Sequence, residues 1–198
     1  MLESLDHRVF TLLSAPLGPS GGVHLLALVL AQWAIFIGPA LLVLIWVTGG
    51  KRDRFAAVRA CLTTLLALAI AGATSSLYFH PRPFMDGIAQ NYLHHAPDSS
   101  FPSDHATLLF AIGWSLLIVR PTILRLIWIV PTSLALAVGW SRVYLGAHYP
   151  LDVVGAAIIA LASASCFASS VGCRATAALT SYGERIYEWP LSVFRSDC

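Results

Sequence analysis

Ser141-Arg142-Val143-Tyr144-Leu145-Gly146-Ala147-His148-Tyr149-Pro150-Leu151-Asp152 joins two apolar runs, residues 123–140 before it and residues 151–171 after it. About 20 apolar residues cross a bilayer as a helix. The quoted stretch therefore reads as a polar rim between two membrane helices. Pro150 suits the first turn of the second one. Its arginine, histidine and aspartate are costly near a membrane, roughly 2.5–3.5 kcal/mol each at a helix centre, so residues of this kind are kept where they do something.

Working outward, residues 23–47 form a first span closed by Gly49-Gly50. Residues 55–79 form a second, with Arg59 near its start placed to snorkel. Residues 106–119 nearly span if their helix starts at Ser103 or Asp104. Residues 123–140 are the fourth span, with a kink expected at Pro131, and residues 151–171 the fifth. The fold expected is all-α: a polytopic membrane helical bundle of about five transmembrane helices, forming a single domain over residues 1–198. A mean hydropathy of +0.73 with 11% charged residues excludes an ordinary soluble domain.

The chain opens with Glu3 and Asp6 rather than a basic stretch, so it does not read as a cleavable signal. It reads as an interfacial helix lying on the membrane. Residues from 174 onward read as a cytoplasmic tail, with 182–194 at the interface. The cysteines, Cys61, Cys166, Cys173 and Cys198, show no metal spacing and no paired framework. A net charge of +2 with a single lysine gives no polybasic surface, and no nucleic-acid partner is expected.

Cationic residues set the orientation. Lys51, Arg52, Arg54, Arg59, Arg120, Arg125, Arg174, Arg185 and Arg195 fall on one side of the five-span scheme, and Arg8, Arg82 and Arg142 on the other. The richer side is expected in the cytoplasm, which makes the chain N-out and C-in. Two further polar stretches, His80-Pro81-Arg82-Pro83 and Pro102-Ser103-Asp104-His105, then share the outer face with the first. All three can meet at one rim.

Each residue has a plain role and a chemical one. Ser103 is an expected N-cap, and a capped helix start also attracts anions. His105 sits one turn inside that start. Asp152 complements the dipole of its helix, and four residues from His148 it can also fix the imidazole tautomer. The other ring nitrogen is then free to attack phosphorus. Arg82 and Arg142 are two of the few cations on the outer face, and guanidinium pairs with phosphate oxygens. His94 and His95 read as loop histidines near the entrance. With His80 and Asp98 they show no metal spacing, and no metal or other cofactor is expected.

Taken together the three stretches resemble the type 2 phosphatidic acid phosphatase superfamily. Its pattern is lysine, six residues, Arg-Pro; then Pro-Ser-Gly-His; then Ser-Arg, five residues, His, three residues, Asp. The last motif is complete here, the middle one carries Asp104 for glycine, and the first keeps Arg82-Pro83. The likeness runs over residues 75–152. The surroundings, Tyr78 to Phe84, His94-His95 and Ser100 to Ala106, are similar to the bacitracin-resistance type of undecaprenyl-diphosphate phosphatase.

The resemblance implies hydrolysis of the terminal phosphate of undecaprenyl diphosphate at the outer face of a bacterial inner membrane, through a phosphohistidine. It implies His148, His105 and Asp152 as catalytic residues. Arg82, Ser103, Asp104 and Arg142 would bind phosphate, with Ser141 and His80 as accessories. The family lysine would fall at Ser75. Either another donor completes the phosphate clamp, or Arg82, Arg142 and backbone N–H groups suffice. Asp104 has two open roles, holding an arginine or tuning His105. The partners expected are a polyprenyl diphosphate substrate and membrane lipids. The competing readings are a phosphotransferase or phosphatase acting on lipid A, phosphatidylglycerol phosphate or phosphatidic acid, and, from another class, a lipid transporter.

Overall fold

The computed structural model describes residues 2–16, 18, 21–122 and 125–195. Within them the chain is all helix and loop: α1 (Leu2–Leu13), α2 (Gly22–Trp33), a 3-10 turn (Ala34–Phe36), α3 (Ile37–Thr48), α4 (Lys51–Leu77), α5 (Asp104–Val119), α6 (Ile129–Tyr144), α7 (Pro150–Cys166) and α8 (Ser170–Arg195).

The rod α2–α3 is one apolar stretch interrupted by a tight turn. Pro39 explains the interruption, since its ring opposes the carbonyl four residues back and it has no N–H to donate. α4 opens where the Asp53 carboxylate accepts the Gly50 N–H at 3.0 Å. α5 is the central helix and packs against α4, α6 and α7, while α2 lies on α6, α3 and α8 on α4, and α1 on α6 and α7.

Small residues allow close approach, which is what drives helix association in lipid. Ala56, Ala60, Ala67 and Ala71 form the buried stripe of α4. A Cβ on Gly113 would run into Thr132 Oγ1, and one on Gly139 would stand 2.6 Å from Val153 Cγ1. Those contacts set the α5–α6 and α6–α7 spacings. Leu25, Val29, Leu44, Leu65 and Ile158 face outward, as a lipid-facing surface requires.

Several sequence expectations are corrected. By length and composition, among the described residues, only Gly22–Thr48 and Lys51–Leu77 reach a full span; Pro150–Cys166 with Ser170–Tyr187 makes a third only as a pair bent by 80°. α5 and α6 have 16 residues each, about 24 Å of helix against a hydrocarbon core of about 30 Å. α6 starts at Ile129 rather than 123, a position outside the described residues, and Pro131 sits in its first turn, where a missing N–H costs nothing, so no kink is needed.

The fifth run breaks after Cys166. Ser169 Oγ accepts the Gly172 N–H at 3.2 Å and starts α8, so Arg174 lies in a helix rather than a tail. Arg59 does not snorkel: it is buried and donates to the Ala164 carbonyl at 3.1 Å, tying α4 to the end of α7.

The ends of the bundle differ in chemistry. Arg52 reaches the Val119 carbonyl at 3.2 Å and Arg54 stands 3.6 Å from Glu184, which gathers the starts of α4 and the ends of α3 and α5 with α8. The three polar stretches gather at the opposite end.

Candidate active site

Four element ends meet there: the exit of α4, the start of α5, the last turn of α6 and the start of α7. The loop from Tyr78 to Ser103 folds over them. Ser75, at the family lysine's position, donates to the Phe101 carbonyl at 2.9 Å and so anchors this loop.

His148 is buried between α6 and α7. Its Nδ1 is 2.8 Å from the Ser100 carbonyl and 3.3 Å from Asp152 Oδ2. Its Nε2 is 3.2 Å from Arg82 Nη1. A guanidinium only donates, so Nε2 must be the acceptor and Nδ1 must carry the proton. The nitrogen with the free lone pair therefore points at the cations. Burial, then Arg142 and Arg82, push the His148 imidazole well below its ordinary value of 6.5. It is neutral at physiological pH.

Asp152 serves two donors on one oxygen. Oδ2 accepts the Tyr149 N–H at 2.8 Å, closing the first turn of α7, and lies beside His148. Oδ1 faces His80 Nδ1 at 3.7 Å. His80 itself holds Ser100 Oγ at 2.7 Å, so it sits behind the aspartate rather than at the nucleophilic nitrogen. On the same side Asp6 of α1 accepts the Leu151 N–H at 3.0 Å, and Tyr149 donates to Asp86 at 2.6 Å.

Arg82 is clamped by its own loop. Nε donates to Asp98 at 2.8 Å, Nη1 to the Ala147 carbonyl at 2.8 Å and Nη2 to the Ser99 carbonyl at 3.1 Å. Arg142, in the last turn of α6 rather than in a loop, is buried and reaches the Ala31 carbonyl at 3.3 Å; its Nε has no hydrogen-bond partner among the described residues. Ser141 turns away and donates to the Val138 carbonyl at 2.8 Å.

Ser103 differs from the N-cap expected. It occupies the cap position of α5, but its hydroxyl makes no cap bond, and Oγ is fully buried without a partner among the described residues. The first N–H groups of a helix have no intrahelical acceptors. A buried hydroxyl beside such N–H groups is chemically suited to an anionic oxygen. His105 and Asp104 follow at once; Arg142, Arg82 and His95 act electrostatically on both, and His148 acts on His105. His95 is 3.5 Å from Asp98, and burial with the two arginines holds it below its ordinary value.

The structure thus brings Arg82, Ser103, Asp104, His105, Arg142, His148 and Asp152 to one end, and turns Ser141 and His80 to other partners. Sequence reasoning missed Asp98, Ser99, Ser100, Ala31 and Asp6. Most of these act through backbone carbonyls, which leave no trace in side-chain identity. Such an arrangement can bind a phosphate ester and offer it a neutral imidazole nitrogen.

A scan of family models matches the PAP2 superfamily over residues 56–174. The chain is 32% identical over 196 residues, 98% of its length and 93% of the relative's, to the Escherichia coli K12 protein named "Putative undecaprenyl-diphosphatase YbjG". It is 33% identical to undecaprenyl-diphosphatase BcrC of Bacillus subtilis over 67% of this chain and 66% of that one. Among solved structures it is similar to the first transmembrane PAP2 type phosphatidylglycerolphosphate phosphatase from Bacillus subtilis, with a TM-score of 0.59, 21% identity and coverage of 83% of each chain.

Proposed function

Because the chain belongs to the PAP2 superfamily, we propose that it is a membrane phosphatase that removes the terminal phosphate of undecaprenyl diphosphate, leaving undecaprenyl phosphate. The observation that carries the proposal is the His148 imidazole, neutral and oriented, with its lone pair toward Arg82 and its Nδ1–H donated to the Ser100 carbonyl. The choice of lipid rests on the relatives named as undecaprenyl-diphosphatases.

In the first step His148 Nε2 attacks the terminal phosphorus, and the bond to the bridging oxygen breaks. Arg82 exchanges its contact with Nε2 for a phosphate oxygen. Arg142, the Ser103 hydroxyl and the first N–H groups of α5 take the other oxygens, whose charge spreads in the transition state. His105 gives its proton to the departing monophosphate. Acid assistance of this kind is typically worth about 10²–10⁴ in rate. Asp152 stabilises the imidazolium that forms. In the second step water, with His105 as base, attacks the phosphohistidine and returns free His148.

The chain sits in the inner membrane of a bacterium in this reading, with α5 and α6 as short central helices. The basic end stands in the cytoplasm and the histidines face the periplasm.

Phosphate release from purified protein with chelator present, across undecaprenyl diphosphate, phosphatidylglycerol phosphate and phosphatidic acid, tests the proposal. A preference for the polyprenyl diphosphate supports it. A preference for a glycerophospholipid would overturn the substrate while leaving the chemistry.

A further inference from the structure

At the end of the bundle away from the histidines, a cavity of about 480 Å³ is lined by Arg52, Arg120 and Arg125 together with Leu117, Leu126 and Trp128. We infer that this cavity binds the phosphate headgroup of an anionic membrane lipid, as a site separate from the phosphatase centre. Among the described residues no carboxylate lines it. Among the described residues none pairs with any of the three arginines. Asp53 stands in this corner but is buried, and it accepts the N–H groups of Gly50 and of the cavity residue Thr122.

The geometry favours a ligand that is anionic at one end and greasy at the other. Arg120 ends α5 in the left-handed region at φ 51°, which carries its side chain off the helix line. Arg52 comes from the start of α4 and is held by the Val119 carbonyl. Arg125 comes from the turn before α6. Guanidinium forks match phosphate oxygens in pairs. Leu126, 66% exposed, and Trp128 supply an apolar wall of the kind found at membrane interfaces. The volume suits a headgroup with its glycerol. A free phosphate would satisfy the arginines but leave this wall unused.

The inference does not rest on the reaction proposed above, because its readout is retained lipid. Full-length protein is purified in neutral phosphatidylcholine nanodiscs doped with phosphatidylglycerol, and bound lipid is counted by native mass spectrometry. Each arginine at an anionic surface is worth about fivefold in binding. The double variant Arg120→Asn/Arg125→Gln should therefore retain phosphatidylglycerol about 25-fold more weakly, with phosphate release from undecaprenyl diphosphate unchanged. Asparagine suits the left-handed backbone at Arg120. The single variant Arg125→Glu, at an exposed position, should weaken retention in the same direction. Equal retention by wild type and both variants would overturn the site. In purely neutral discs, inorganic phosphate or glycerol 3-phosphate binding as tightly as phosphatidylglycerol would overturn the lipid assignment.

Discussion

Arg82→Lys is the most informative single change. Arg82 is 4% exposed and makes three donor contacts with loop and backbone besides the contact to His148. Lysine keeps the charge and loses the fork. It cannot hold Asp98, the Ala147 and Ser99 carbonyls and a phosphate oxygen together. Losing one aligned donor to transition-state oxygens typically costs about 10²–10³ in kcat, or about 2.7–4 kcal/mol.

The Asp98 contact is a separate matter. Its carboxylate is 58% exposed, so the ion pair is worth only about 0–1 kcal/mol in water. Asp98→Asn should lower kcat by no more than about fivefold. Phosphate release from purified, correctly inserted protein, with kcat and KM separated over substrate concentration, provides the assay. Thermal unfolding in detergent controls for fold. Arg82→Lys with kcat within threefold of wild type, or Asp98→Asn as damaging as Arg82→Lys, would refute the assignment of Arg82 to the reacting phosphate.

Ser103→Ala should leave the melting temperature unchanged, because no cap bond exists to lose, whereas a true cap would cost about 1 kcal/mol; the same variant should lower kcat/KM about tenfold, as loss of a buried donor to phosphate costs about 1.5 kcal/mol. His148 is depressed in the folded state by burial and two arginines, and in the unfolded chain it titrates near 6.5. Below about 6.5 the unfolded chain takes up a proton that folded His148 refuses, so wild-type melting temperature should fall faster with acid than that of His148→Gln; parallel curves would contradict a buried neutral imidazole. Gly139→Ala places a Cβ 2.6 Å from Val153 Cγ1, and overpacking of this kind costs about 1–3 kcal/mol, so both melting temperature and activity should drop as α7 is pushed from α6.

The parts legible in the sequence were those written in side chains. The run from Ser141 to Asp152 showed where two helices meet, and Pro150 marked the start of α7 within the observed first turn. Arg52 and Arg54 stand at the end of the bundle opposite Arg82 and Arg142, as their spacing suggested. The parts not legible depend on backbone and on packing. The Ser100 carbonyl that fixes the His148 tautomer and the Ala31 carbonyl that holds Arg142 have no residue-type signature. Arg59 looked like a snorkelling side chain because its partner, the Ala164 carbonyl, lies 105 residues away. The break after Cys166 was hidden inside one apolar run, since hydropathy alone does not show a bend. Ser103 matched the cap pattern by position, and only the structure shows its hydroxyl unspent.

The account stands or falls on the covalent intermediate. Purified protein is mixed with undecaprenyl diphosphate labelled in its terminal phosphate, quenched in alkali within the first turnovers, and digested for peptide mapping. The prediction is an alkali-stable, acid-labile phosphate on the peptide carrying His148, lost in His148→Ala. Label on another residue, or full turnover by His148→Ala, would contradict it.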